Sequence, residues 1–301
     1  MTIDFFAALL VAAVSLAAPL LITALGELIS ETAGVLNISI EAMMLVGAFT
    51  GVVGASLTGN LWVAFLCAIL GGLVVALLQG TASFHFRANQ IVTGIVLNIL
   101  ALGATTFLLM SVLGSGVGKA VTLDRVAIPV LSEIPVVGRA LFNQNIVAYL
   151  AFLLVPLVWW TLDRTAFGLQ LRSVGEHPVA AASLGINVLV TRWVALLICG
   201  GLGGVGGGLL TLGGLGVFTP NITAGRGFIA LAAVVFGRWR PVGTLVAVML
   251  FSVADAFQIR AQALGIAVPY QLLVALPYIV TILALVMFVS KMRPPSALGS
   301  N

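Results

Sequence analysis

Long apolar runs alternate with short polar interruptions along the chain, and most of the runs have membrane-crossing length. They fall at about 5–28, 38–57, 61–83, 91–113, 145–163, 191–213, 227–237, 241–260 and 269–289. Crossing the hydrocarbon core takes about 20 residues of α-helix, and a spanning helix satisfies its own backbone polar groups there. The pattern predicts an all-α, polytopic membrane protein with about nine transmembrane helices, forming one domain over 1–301. The seventh run is too short to cross alone. It is either a re-entrant half-helix or part of an element that extends into its flanks.

Two interruptions are long. Residues 114–144 hold Pro129, Pro135 and short apolar pieces. They read either as an external partner loop or as a folded lid over helix ends. On the other side, residues 164–190 form a polar, basic island. Inside it, Ala180 to Leu184 is helix-competent. Pro178 suits the start of a short helix and Gly185 its stop. A stiff knuckle outside the bilayer suits the docking of a soluble partner.

Composition turns the pattern into a class. Of 301 residues, 61% are hydrophobic and 7% charged, against about 25% charged in soluble domains. So few charges cannot cover a water-facing surface. Arg87, Arg164, Arg172, Arg192, Arg238, Arg240, Lys291 and Arg293 alternate onto one side, and Lys119, Arg125, Arg139, Arg226 and Arg260 onto the other. The richer side is expected to be cytoplasmic, with the N-terminus outside and the C-terminus inside. The start, Met1-Thr-Ile-Asp, lacks the basic stretch of a cleavable leader, so the first run is expected to be a permanent span. The basic residues sit mainly in loops and set orientation rather than form a nucleic-acid patch.

Several polar residues within or beside the apolar runs are candidates for function. Glu41, near the start of the second span, must face protein or water, because a carboxylate in lipid is costly. It is either a pathway residue or a carboxylate that binds backbone groups at a broken helix, where Asn37 and Ser39 supply a local polar knot. Glu27 and Glu31 share a helix face and are expected at the water-accessible cytoplasmic end of the first span, solvated or anchoring a loop. Asn98, in mid-span, is either helix–helix glue or a substrate contact; Asn89, Gln90 and Thr93 form the polar entrance to that span. Asp255 is expected to make a structural ion or hydrogen bond near the outer interface. Phe218 and Phe228 pack, or stack on a planar ligand.

Cys67 and Cys199 read as small packing residues. Gly200, Gly203, Gly204, Gly207 and Gly208 fit a close-packed central helix and a deformable one beside a pathway, two readings that do not exclude each other. A short echo links Gly34-Val35 and Asn37-Ile-Ser with Gly216-Val217 and Asn221-Ile-Thr; interrupted helices in corresponding halves often flank a transport site.

No metal-ligand cluster and no nucleophile–base pair is legible. Gly114 to Lys119 falls short of a phosphate loop, since Leu113 and Ala120 stand at required positions. No cofactor and no nucleotide site are expected in this chain, so the energy source is expected to be another subunit.

The segments Glu31 to Met44, Asn89 to Asn98, 172–187 and Gly225 to Trp239 together resemble the permease family that serves branched-chain amino acids, ribose and nucleosides, and most closely its nucleoside branch. Ala42 departs from the glycine common in the family at that position. The stretch Glu176 to Gly185 looks like the coupling loop of ATP-binding cassette (ABC) importer permeases. The resemblance implies a dimer of two homologous permeases, unlike ones in this branch, around a central pathway, an extracytoplasmic substrate-binding protein and two cytoplasmic ATPase subunits in a bacterial inner membrane. It assigns coupling to Glu176, His177, Pro178, Ala180, Ala181 and Gly185. The pathway candidates are Asn37, Glu41, Asn98, Asn221 and Phe228. An ion-coupled secondary transporter using Glu41 or Asp255, the same ABC role with a sugar or branched-chain amino acid as substrate, and a membrane-embedded enzyme are the competing readings.

Overall fold

The structure, a computed structural model, describes residues 2–113, 120–127, 138, 141–214, 216–263, 271, 279 and 293–300. Helices dominate: α1 (Thr2–Thr32), α2 (Ile40–Thr58), α3 (Leu61–Gly80), α4 (Gln90–Leu108), α5 (Ile146–Arg164), α6 (Ala166–Glu176), α7 (Pro178–Ser183), α8 (Val188–Leu212), α9 (Arg226–Phe236) and α10 (Pro241–Ala263). Among the described residues seven helices are long and apolar enough to cross a membrane. The expected ninth span, 269–289, and most of the 114–144 loop lie outside the described residues. At the margin of that loop, β1 (Arg125–Ala127) pairs antiparallel with β2 (Asn143–Asn145).

Local chemistry sets the helix boundaries. Asn60, Asn89, Asn145 and Asn187 precede α3, α4, α5 and α8, and each side chain accepts a backbone N–H of the first turn. Such caps satisfy donors that the helix cannot. Gly59 closes α2 in the left-handed conformation, φ 64°. The ends of α3 and α4 each run into one π-helical turn, Thr81–His85 and Leu109–Leu113. α9 remains 11 residues long, about 16 Å at 1.5 Å per residue. It does not grow into its flanks and cannot cross a bilayer alone.

α8 is central, with α1, α2 and α3 packed around it. Its glycines make this possible. A Cβ on Gly204 would overlap the Ala68 carbonyl of α3, and one on Gly207 would overlap the Met44 carbonyl of α2. The close-packed reading of the glycine run is what these contacts show. The outer helices α3, α4 and α5 turn rows of large apolar residues outward, including Leu66, Leu70, Ile95, Ile99, Leu153 and Leu157. In water such a surface would drive aggregation; in lipid it is the expected exterior.

Candidate functional site

Two broken helices meet at Glu41. The chain leaves α1, turns back through residues 33–39 and restarts as α2, so that Glu41 sits in the first turn. From the other half, residues 219–225 form a tight turn before α9, with left-handed φ at Asn221 (59°), Ala224 (45°) and Gly225 (85°). One Glu41 oxygen accepts from Thr223 Oγ1 and from Gly225 N (2.9 Å), and the other accepts from Gly227 N at 2.7 Å. A carboxylate against the first N–H groups of α9 satisfies unpaired donors and meets the positive end of its dipole. Gly227 allows the approach, because a Cβ there would stand 2.6 Å from Glu41 Cα. The two echo segments of the sequence are thus the two halves of one junction.

Asn98 of α4 fixes the other side of α2. Its Oδ1 accepts Ala42 N at 2.9 Å and its Nδ2 donates to Ile38 O at 3.0 Å. Gly94 permits this, since a Cβ there would lie 2.8 Å from Ile38 Cβ. Deeper in the core, Ser39 Oγ donates to Asn37 Oδ1 at 2.7 Å, and Asn37 Nδ2 donates to Cys199 Sγ at 3.2 Å. Glu27 then accepts Asn37 N (3.3 Å) and Cys199 Sγ (3.3 Å). Asn37, Glu41 and Asn98 are all engaged within the chain. Asn221 and Phe228 are exposed on the rim of the same junction. Phe218 is buried edge-on against Phe49, with centroids 5.3 Å apart, so it packs.

Two expectations need correction. Glu27 and Glu31 are not at a watery end: both are fully buried. Glu27 anchors the 33–39 segment, and Glu31 accepts Trp239 Nε1. The fold covers them with residues that sequence spacing could not place nearby. Cys199 is more than packing, since its thiol bridges Asn37 and Glu27. Sequence reasoning included Thr223 and Trp239 only within longer segments and gave no role of their own to them or to the segment 296–300; Trp239 carried a faint signal as a tryptophan between two arginines. Asp255 is half-buried on α10.

The second candidate region lies at the end where α1 stops. α6 ends at Glu176, His177 forms the corner, and Pro178 opens α7. Gly185, φ 84°, closes α7: Gly185 N donates to Ala182 O and Ile186 N to Ala181 O, a pair of bonds typical of a glycine stop. Ala181 is 2% exposed, whereas Val179 is 81% and Leu184 82% exposed. Ala181 therefore braces the knuckle from below, and Val179 and Leu184 form its outer face. Ala180 and Gly185 are also exposed.

The C-terminal segment ties this region together. Ser296 Oγ donates to Glu176 at 2.8 Å, Ala297 N to Gly175 O at 2.8 Å, Gly299 N to Gly34 O at 3.0 Å and Arg192 Nη1 to Ser300 O at 2.9 Å. Among the described residues no group of three His, Cys, Asp or Glu side chains could hold a metal.

A bundle of apolar helices of membrane-crossing length, with broken helices meeting at an internal polar junction and a short braced helix beside it, is the architecture of a polytopic membrane permease. The chain belongs to the family described as the permease component of branched-chain amino acid transport systems, which matches residues 9–289, and it is a permease subunit of an ABC importer. It is 40% identical over 294 residues to the guanosine ABC transporter permease protein NupQ of Bacillus subtilis, covering 94% of this chain and 92% of that one. It is 42% identical over 270 residues to a putative glucose ABC transporter permease, TsgC13, of Haloferax volcanii, covering 88% and 80%. A second Bacillus subtilis protein, the guanosine ABC transporter permease NupP, is 26% identical over 244 residues, covering 77% and 68%. The fold is like that of a solved structure titled as an inward-facing conformation of a putative metal-chelate type ABC transporter, with TM-score 0.50 and 17% identity over 94% of this chain and 85% of that one.

Proposed function

We propose that this chain, paired with a second and unlike permease, forms the pathway of a nucleoside importer. An extracytoplasmic binding protein delivers the nucleoside, and separate ATPase subunits hold ATP and Mg and grip α7. The observation that carries the substrate is the end-to-end similarity to a guanosine permease. Pairing of unlike subunits is supported by the second, more distant guanosine permease of the same organism. In this reading Asn221 and Phe228, exposed beside the Glu41 junction, offer an amide and an aromatic face to a purine nucleoside. Glu41, Asn37 and Asn98 position the turn that carries Asn221 and Phe228. The knuckle, with Glu176, His177, Pro178, Ala180 and Gly185 around it, faces the cytoplasm, with the N-terminus outside and the C-terminus inside.

Sugar transport is the competing reading, favoured by the glucose-type relative. Uptake by proteoliposomes containing the full assembly separates the two. Labelled guanosine is expected to accumulate with ATP, and a hundredfold excess of glucose is expected not to compete. Accumulation of glucose alone would move the protein to the sugar reading. Guanosine uptake that survives ATP depletion and follows the membrane potential would overturn the pumping mechanism itself.

A further inference from the structure

An apolar cavity lies outside the Glu41 junction and the knuckle, between the end of α9 and the outer face of α10. It has a volume of about 570 Å³. Its wall includes Phe236 of α9 and the row Val242, Val246 and Leu250, all three exposed. Spaced by four, these positions lie on one face of α10 and extend about 12 Å along it. At one end of the row stand Arg238 and Arg240, which also line the cavity. Both are exposed, and among the described residues neither has an ion-pair partner.

The backbone that presents this pair is itself unusual. Arg238 and Trp239 are consecutive non-glycine residues with left-handed φ, 58° and 53°. Such a conformation persists only where its surroundings enforce it. Here Arg238 N and Trp239 N bond back to Val235 O and Val234 O, and Trp239 Nε1 is held by buried Glu31. The fold thus spends strain to fix two guanidinium groups at the mouth of an apolar groove.

We propose that this groove is a binding site for an anionic phospholipid. The phosphate is held by Arg238 and Arg240, and one acyl chain lies along Val242, Val246 and Leu250. Charge complementarity selects the headgroup, because guanidinium groups bind phosphate well, and basic clusters beside membrane helices attract anionic lipids. The apolar row selects a chain-bearing ligand over a free anion. Through Trp239 and Glu31 the site is tied to the end of α1. There Gly34 shares the C-terminal segment with Gly175, next to Glu176 of the knuckle.

The test uses the assembled transporter in detergent, with native mass spectrometry of bound phosphatidylglycerol and phosphatidylcholine and with inorganic phosphate as competitor. Phosphatidylglycerol is expected to bind at least tenfold more tightly than phosphatidylcholine. Loss of the preference is expected in the Arg238→Asn/Arg240→Gln double variant, in which asparagine tolerates the left-handed backbone. Val246→Trp, which fills the groove while leaving both cations, is expected to weaken both lipids. Equal retention of the two lipids by the wild-type protein would overturn the proposal. So would phosphatidylglycerol binding unchanged in both variants, or displacement by millimolar phosphate that Val246→Trp does not affect.

Discussion

Glu41 shows what one residue does when the backbone around it is broken. Its two oxygens receive three donors, two from the turn before α9 and one from the first turn of α9 itself. Glu41→Ala would strand those donors, at about 1–3 kcal/mol for each buried unpaired group. Loss of roughly 3 kcal/mol or more is expected, read as a lower unfolding temperature in detergent together with lost uptake. Glu41→Gln keeps one good acceptor and is expected to fall between wild type and alanine; equal stability of all three proteins would remove the anchoring role. The glycines of α8 offer a second contrast at the same scale. Gly204→Ala overlaps the Ala68 carbonyl, whereas the nearest atom to a Cβ on Gly201 is 3.8 Å away. Overpacking of this kind costs about 1–3 kcal/mol, so Gly204→Ala is expected to destabilise. Gly201→Ala is expected to be neutral or stabilising by up to about 1 kcal/mol, with thermal unfolding as the readout for both.

Among the elements, α7 is short but held at both ends, by the proline that opens it and the glycine that stops it. Its inner side, Ala181, belongs to the fold, and its outer side, Val179 and Leu184, is open. A charge at Ala181 would therefore disturb the brace, and a charge on the outer face would disturb only what docks there. Val179→Asp and Leu184→Glu are expected to leave folding and lipid extraction normal while ATP hydrolysis proceeds without guanosine uptake. Normal uptake in both would mean that the ATPase grips elsewhere. Gly185→Ala forces a Cβ into φ 84° and is expected to cost about 1 kcal/mol, with partial uncoupling in the same assay.

For the whole molecule, the apolar rows on α3, α4 and α5 leave room for both lipid and a second subunit. The unlike-pair reading predicts that tagged chain, co-expressed with a homologous permease, recovers that partner at about one to one. Recovery of two copies of this chain alone, active in uptake, would contradict it. The C-terminal segment links α1, α6 and α8 across the knuckle end. Ser296→Ala, which removes only the hydroxyl bonded to Glu176, is expected to loosen α7 and lower the ratio of uptake to ATP hydrolysis while leaving stability within about 0.5 kcal/mol.

Much of this protein was legible one residue at a time. Uninterrupted apolar length marks a span whatever its neighbours are, because a bilayer imposes the same requirement on every crossing helix; hence the boundaries of α2, α5 and α10 follow the sequence closely. The short seventh run, the Pro178–Gly185 knuckle and the polar knot at Asn37 and Ser39 were legible for the same local reason. Tertiary structure alone decided who covers whom. Glu27 and Glu31 lie one turn apart in the sequence, but Cys199 and Trp239, which receive them, are some 170 and 210 positions away. Likewise, Glu41 became an anchor only when the second broken helix was brought to it, and Ala181 became a brace only when α7 folded down. Hydropathy reports each residue's preference for lipid or water; a buried polar group answers instead to its partners, and in a long chain those are chosen by packing.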